Sequence, residues 1–275
     1  AALTNLFLNY RRIHPTNIEG TKNIIQFALK TRSKYLCHVS THTVMGDKTF
    51  DEMVEFKESD LDIGQGFDHM TYQYTKFLAE KLVREAKKDG LIWNIMRPGQ
   101  IFGESATGRY PLRESNVTGL FMDILKTVIE SKLAMVSHSY FDVVPVDYVS
   151  RAIIALGLSP TSVYETYHLV NPDAKTYSDI ITIVKNLGYE IKVIPQEEYK
   201  QLLLTSKLTT PDGVEYKSRT TSAFKWWFKR GISFCESAHT DCEYTVGKLK
   251  ALGIVCPIVD EKLMKTYLDA AARDQ

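Results

Sequence analysis

Long apolar runs are missing from this 275-residue sequence. No stretch approaches the ~18 consecutive apolar residues of a membrane-spanning helix. An excess of one charge is missing too. The 34 Lys and Arg nearly balance the 33 Asp and Glu, leaving a formal +1. No global field therefore draws the chain to nucleic acid or to an acidic membrane. Cysteine is scarce: Cys37, Cys235, Cys242 and Cys256 are too few for a disulfide framework at this length. Cys235, His239 and Cys242 form a C-x3-H-x2-C pattern, but no fourth ligand stands at suitable spacing, so no metal is expected. The opening residues AALTNLFLNYRR put no basic segment ahead of their apolar part, unlike a secretory signal. A reducing cytoplasm is the expected compartment. The chain also opens without an initiator Met, so an upstream segment is expected.

What is present is the composition of an ordinary soluble globular protein, 44% hydrophobic and 24% charged. Strands and helices alternate up to about residue 170. NIEGTKNIIQFALKT (17–31) has helical apolar spacing, and YLCHVS (35–40) reads as a short buried strand. A helix over 72–88 stops at Asp89-Gly90, and LIWNIMRPG (91–99) is the next strand. Residues 118–132 are expected to be helical. FDVVPVDYVSRAIIALGL (141–158) gives a strand edge, a turn and a helix, and YHLVNP (167–172) a last strand. Such alternation argues for a parallel sheet with helices on its faces. Beyond Pro172 helical patterns dominate: TYSDIITIVKNLG, QEEYKQLLLTSK, VGKLKALG and DEKLMKTYLDAAAR.

Three short segments carry polar groups suited to chemistry. Tyr72 and Lys76 stand four apart on the 72–88 helix and share a face. A nearby ammonium favours a phenolate, which would make the tyrosine a usable proton donor. The bland reading is a chance Y-x-x-x-K, and Tyr74 points elsewhere. HVSTHTVMG (38–46) ends a strand on Ser40 and Thr41. Open α/β sheets place ligands at such ends, although a hydroxyl there is more often a turn or helix cap. In IMRPGQIFG (95–103), Pro98-Gly99 ends a strand and brings backbone to the sheet edge.

In this order the three segments resemble the extended short-chain dehydrogenase/reductase family. The resemblance implies that Thr41, Tyr72 and Lys76 are the catalytic set. It also implies that Arg97, Pro98, Gly99 and Ile101 lie beside a nicotinamide, with Ser40 as Thr41's neighbour on the cofactor side. Asn17, in a segment (NIEGT) similar to that family's helix start, and Ala1-Ala2, similar to the end of a preceding strand, join the cofactor side. More narrowly, TYQYTKFLAEKLVREAKKDGL, MRPGQIFGESATG, VVPVDYVSRAI, YHLVNP and LGIVCPIVDEKLMKTYLD resemble the terminal thioester reductase domains of nonribosomal peptide and polyketide synthases.

That family opens with a glycine-rich phosphate loop. The 15 glycines here form none: Gly64-x-Gly66 lacks the third, and Gly103-x4-Gly108 is followed by Arg109 and Tyr110. The resemblance places the first strands upstream, which would leave a bare sheet edge needing cover.

The fold expected is a Rossmann-like α/β parallel sheet with a smaller, mainly helical C-terminal subdomain. Residues 1–170 form a partial dinucleotide-binding domain, with 107–140 on the substrate side, and 171–275 face substrate and carrier. The expected activity is NADPH-dependent reductive release of an acyl or peptidyl thioester, held on a carrier protein's phosphopantetheine after upstream synthase modules. The product is an aldehyde, with reduction on to the alcohol left open. Tyr72 protonates the oxygen, Thr41 hydrogen-bonds it, and Lys76 lowers the tyrosine pKa and holds the nicotinamide ribose. Arg109, Arg113 and Lys132 are candidates to meet an acidic carrier. Two alternatives stand beside this: a dehydrogenase or epimerase of nucleotide sugars, and a non-reducing domain that binds or cyclises the thioester.

Overall fold

The computed structural model describes residues 2–4, 8–32, 34–110, 120–209, 213–232, 234 and 237–273. Along the chain its elements are α1 (Tyr10–His14), α2 (Gly20–Leu29), β1 (Tyr35–Val39), β2 (Glu55–Phe56), α3 (Thr71–Glu85), β3 (Ile92–Pro98), β4 (Ile101–Phe102), α4 (Leu120–Ser131), β5 (Leu133–Met135), β6 (Val144–Pro145), α5 (Val146–Gly157), β7 (Thr166–Leu169), α6 (Tyr177–Asn186), β8 (Lys192–Ile194), α7 (Gln196–Leu204), α8 (Arg219–Phe228), β9 (His239–Thr240), α9 (Glu243–Ala251) and α10 (Glu261–Arg273). They fall into two compact units. The first holds Ala1–Gly99, Asp147–Pro172 and Ala238–Cys256; the second holds Gln100–Val146, Asp173–Ser237 and Pro257–Gln275.

The first unit is built on a parallel sheet ordered β1-β3-β7. Tyr35 to Val39 pair with Ile92 to Met96, and Ile95 to Pro98 pair with Thr166 to Leu169. The middle strand is buried from Trp93 to Pro98, as its nearly continuous apolar sequence requires. Helix α3 is the crossover from β1 to β3. It buries Phe77, Ala79 and Val83. A single 3-10 turn follows, and Gly90 ends it at φ 89, a left-handed conformation that glycine adopts without steric cost. Ile25, Ala28, Val83, Leu91, Trp93 and Ile95 pack together between helices and sheet. Because the strands are parallel, their carboxyl ends share one edge, and Ser40, Thr41, Pro98 and Gly99 gather there.

The segment after β1 forms 3-10 turns over His42–Phe50, kinked at Gly46 with φ 57. A Cβ on Gly46 would lie 2.3 Å from the Gly66 carbonyl oxygen. The same approach lets Asp47 N–H donate to Gly66 O at 2.9 Å and Gly66 N–H donate to Asp47 Oδ1 at 2.8 Å.

The second unit packs α4, α6, α7, α8 and α10 around an apolar core that includes Leu125, Ile180, Val184, Leu203, Phe224 and Met264. Two short parallel pairs, β4–β6 and β5–β8, belong to it. Helix α6 opens with a reciprocal cap between Thr176 and Asp179.

The parallel α/β architecture agrees with the sequence reading. Helices α1 and α8 did not figure in it. Helix α8, RTTSAFKWWF, is rich in residues of weak helix propensity and is fixed by a Ser218–Thr221 capping box. The units also interleave, whereas a division at 170/171 follows chain order. Residues 238–256 rejoin the sheet unit because β9 pairs with β2 and Thr245 bonds Glu58, 187 residues away. Such distant pairings leave no mark on local hydropathy. Within the second unit Arg109 is exposed and Lys132 pairs with Glu190 at 2.8 Å. Arg113 lies outside the described residues, as do Ala1 and Cys235.

Candidate active site

Helix α3 carries Thr75, Lys76 and Glu80 as buried polar residues on its inner face. Lys76 is 5% exposed, and its Nζ donates to the Val39 carbonyl at 2.6 Å. That bond ties the lysine to the last residue of β1, two positions before Thr41. Burial pulls the Lys76 pKa down to about 8, opposed by the negative charge of Glu80. At neutral pH it remains mostly an ammonium.

Tyr72, one turn earlier, is half-buried, and burial pushes its phenol up to about 12. The expected lowering by Lys76 is not present. The reason is geometric: the ammonium is directed at a strand carbonyl. The consequence suits an acid, since the phenol stays protonated at neutral pH.

Thr41 is buried with extended backbone, φ −154 and ψ 151, and caps the turns that follow. Its Oγ1 accepts from Thr43 N–H at 3.3 Å and lies 3.1 Å from Thr43 Oγ1. The cap occupies a lone pair, and in the Thr41–Thr43 hydroxyl pair either oxygen can be the donor. Ser40 continues the ladder through its N–H to Met96 O at 2.7 Å and buries its hydroxyl.

Asn17 is 2% exposed and fully engaged. Its Oδ1 accepts from Leu3 N–H at 2.8 Å, and its Nδ2 donates to Leu3 O at 3.1 Å and Thr75 Oγ1 at 3.0 Å. It thereby clips the residue after Ala2 onto α3, directly before Lys76. Ala2 itself is exposed.

Arg97 has the least freedom of the candidate cofactor residues. It is completely enclosed. Nε and Nη2 donate to the Glu80 carboxylate at 3.2 and 2.7 Å, Nη1 to His168 Nε2 at 3.0 Å and Lys57 O at 3.5 Å, and Nη2 to the Asp60 carbonyl. Its guanidinium also lies over the Phe56 ring at 4.8 Å. These bonds engage all five N–H donors, so the side chain has none left for a cofactor. Of this segment it is the backbone around Pro98 and Gly99, not the Arg97 side chain, that stands at the carboxyl edge of the sheet. Pro98 is buried and Gly99 N–H donates to Leu169 O at 3.1 Å. Ile101 belongs to the second unit, on β4, and is 37% exposed.

The partners of Arg97 did not figure in the sequence reading. The signal that could have found Glu80 is its place four residues after Lys76 on the same helix face. Burial alone would raise its carboxyl, but the charge and hydrogen bonds of Arg97, then Arg84, hold it well below the usual carboxylate range. His168, from YHLVNP, is kept neutral by burial; its Nδ1 donates to Asp241 O at 2.6 Å and its ring stacks on Phe56. Glu58 accepts from Thr245 N–H at 3.0 Å and Oγ1 at 2.5 Å. Among the described residues no group of three His, Cys, Asp or Glu is placed to hold a metal, and no helix is long and apolar enough to cross a membrane.

The profile of an NAD-binding family described as male sterility protein matches residues 1–153. A linear gramicidin synthase protein of Brevibacillus parabrevis is 27% identical over 272 residues, 99% of this chain and 5% of that protein. An L-2-aminoadipate reductase of Candida glabrata is 25% identical over 214 residues, 74% of this chain and 15% of its own length. The chain thus spans a small part of these curated relatives. Among solved structures, the terminal R domain from the myxalamid PKS-NRPS biosynthetic pathway aligns with TM-score 0.84 and 28% identity, over 99% of this chain and 66% of that one. A thiolation-reductase di-domain from an archaeal non-ribosomal peptide synthetase shares the fold, with TM-score 0.76 and 24% identity, over 100% of this chain and 56% of that one. With the family profile covering more than half its residues and Tyr72 and Lys76 on one helix beside the head of a parallel sheet, the chain belongs to this NAD-binding family, of the extended short-chain dehydrogenase/reductase type.

Proposed function

We propose that the chain is the catalytic part of an NADPH-dependent reductase that releases a carrier-bound acyl or peptidyl thioester as an aldehyde. The observation that carries this is the buried Lys76 ammonium fixed to the end of β1, one turn from the neutral phenol of Tyr72. The residues fit the nicotinamide end of such a cofactor: a cation, a protonated phenol and a hydroxyl lie beside one sheet edge. The family match supports a nicotinamide cofactor, and the choice of NADPH rests on the resemblance to thioester reductases.

When bound, NADPH supplies the hydride that reduces the thioester carbonyl carbon. Tyr72 O–H gives its proton to the carbonyl oxygen as charge builds there, and Thr41 O–H donates a second hydrogen bond. By the family resemblance, Lys76 would hold the nicotinamide ribose. The hemithioacetal then collapses: its C–S bond breaks, the hydroxyl proton passes to the sulfur, and aldehyde and thiol leave. The partner is a phosphopantetheine-bearing carrier protein and the compartment the cytoplasm, a reading supported by relatives that are synthase proteins. Arg109 and Lys132 of the second unit are the described candidates for an acidic carrier surface.

The test presents one acyl group to the full-length protein on a carrier protein, on pantetheine and on coenzyme A, with NADPH oxidation as readout. The expected order places the carrier form first in kcat/KM, with its advantage shrinking as salt screens the encounter. Absence of that advantage at low salt refutes carrier docking. Turnover of a UDP-sugar with no thioester reduced overturns the functional reading.

A further inference from the structure

Two arginines hold the carboxylate of Glu80. Arg97 grips both oxygens, at 2.7 and 3.2 Å. Arg84 approaches Oε1 at 3.0 Å and also donates to Thr166 Oγ1 at 3.0 Å. Lys76 stands one turn back on the same helix face. The carboxylate therefore binds the arginine preceding Pro98-Gly99 and stands one helix turn from the lysine of the proposed site.

Resting on the reductase reading above, we propose that Glu80 is a positioning residue for the reduction. Its charge keeps Lys76 an ammonium, and its two oxygens hold Arg97, and with it the Pro98-Gly99 backbone, at the head of the sheet.

The surroundings of Lys76 support this. From β1 it meets the Val39 carbonyl and His38, whose ring burial, then Lys76 itself, pull down to about 3, so it is neutral. On α3 the residues one turn to either side of it are Tyr72, also neutral, and Glu80. The carboxylate of Glu80 is the charge that opposes the effect of burial on Lys76. A buried ammonium deprived of opposite charge sheds its proton at lower pH. The bland alternative is that Glu80 and Arg97 form a purely structural buried pair, as many do. A structural pair affects stability and turnover but does not move the lysine's titration.

The experiment measures kcat/KM against pH for the full-length protein with NADPH and octanoyl-pantetheine. The Cε shift of Lys76 is read in parallel in 13C-lysine-labelled protein, assigned through Lys76→Arg. Wild type should lose activity as Lys76 deprotonates near pH 8. In Glu80→Gln the alkaline limb and the Cε titration move down together by about one pH unit. Arg84→Gln removes a cation from the same carboxylate without touching Lys76, so both curves move up by about half a unit. A folded Glu80→Gln with an unmoved titration overturns the proposal. If Glu80→Gln does not fold, Arg84→Gln decides alone, and an unmoved titration there overturns it. A wild type inactive on thioesters, with Lys76 titrations shifted as stated, defeats the reductase reading and leaves the electrostatic role of Glu80 standing.

Discussion

Replacing Arg97 by methionine separates an arginine that holds the fold from one that holds a cofactor. The side chain is completely buried, and all five N–H groups end on Glu80, His168, Lys57 and Asp60. Removing it leaves Glu80 with Arg84 as its remaining ion-pair partner and takes a donor from His168 Nε2. Breaking one side of a buried ion pair costs about 3–5 kcal/mol. At about 2–4 °C per kcal/mol for a chain of this size, the midpoint should fall by about 6–20 °C in scanning calorimetry. A Glu80→Leu/Arg97→Met double variant removes both charges and should lose clearly less than the sum of the single losses. Fluorescence titration of folded Arg97→Met should meanwhile give an NADPH Kd within about threefold of wild type, or ~0.6 kcal/mol. The opposite pattern, a Kd weakened tenfold or more with an unchanged midpoint, would show that the guanidinium reaches the cofactor and refute the reasoning.

Tyr72→Phe should fold normally and bind NADPH, yet lose about 10²–10⁴-fold in thioester reduction, the usual weight of a general acid. Tyr74→Phe is the matched control and should be mild, because Tyr74 is 36% exposed and packs on Tyr10 and Phe67. Gly46→Ala should cost more than about 2 kcal/mol in urea unfolding, since its Cβ would sit 2.3 Å from Gly66 O at φ 57. Gly64→Ala, at φ 75 with open space around it, should cost only about 1 kcal/mol; equal losses would mean that crowding at Gly46 is unimportant.

The helix bearing Tyr72 and Lys76 was legible because its apolar spacing is regular and its Asp-Gly stop unambiguous. The strand ends at Ser40 and Pro98 were legible from the turn chemistry that follows them. The interior of the site was not. Arg97 precedes a Pro-Gly strand end, which points to the sheet edge. Its actual partners come from α3, the loop before it, and β7, and apart from the i+4 spacing of Glu80 from Lys76 local spacing carries no sign of them. Lys76 was expected to act on Tyr72, but its Nζ bonds a main-chain carbonyl. A backbone acceptor looks the same under every residue name, so side-chain identities could not reveal it. The return of 238–256 to the sheet unit was hidden likewise, because it depends on a two-residue ladder and a Glu58–Thr245 contact.

The interleaving of the two units has a consequence for how the protein is made on the ribosome. Synthesis supplies roughly 5–20 residues per second, and domains usually complete in order from the amino terminus. Here the sheet unit needs residues up to Cys256 and the other unit needs residues from Pro257 onward. Neither can close while the chain is half made. The β1-α3-β3 layer must wait, partly built, while the whole of Asp173–Ser237 is translated. Recombination meets the same geometry: grafting the second unit onto a relative takes junctions at Gly99–Gln100, Val146–Asp147, Pro172–Asp173, Ser237–Ala238 and Cys256–Pro257, so a single crossover would leave two incomplete cores.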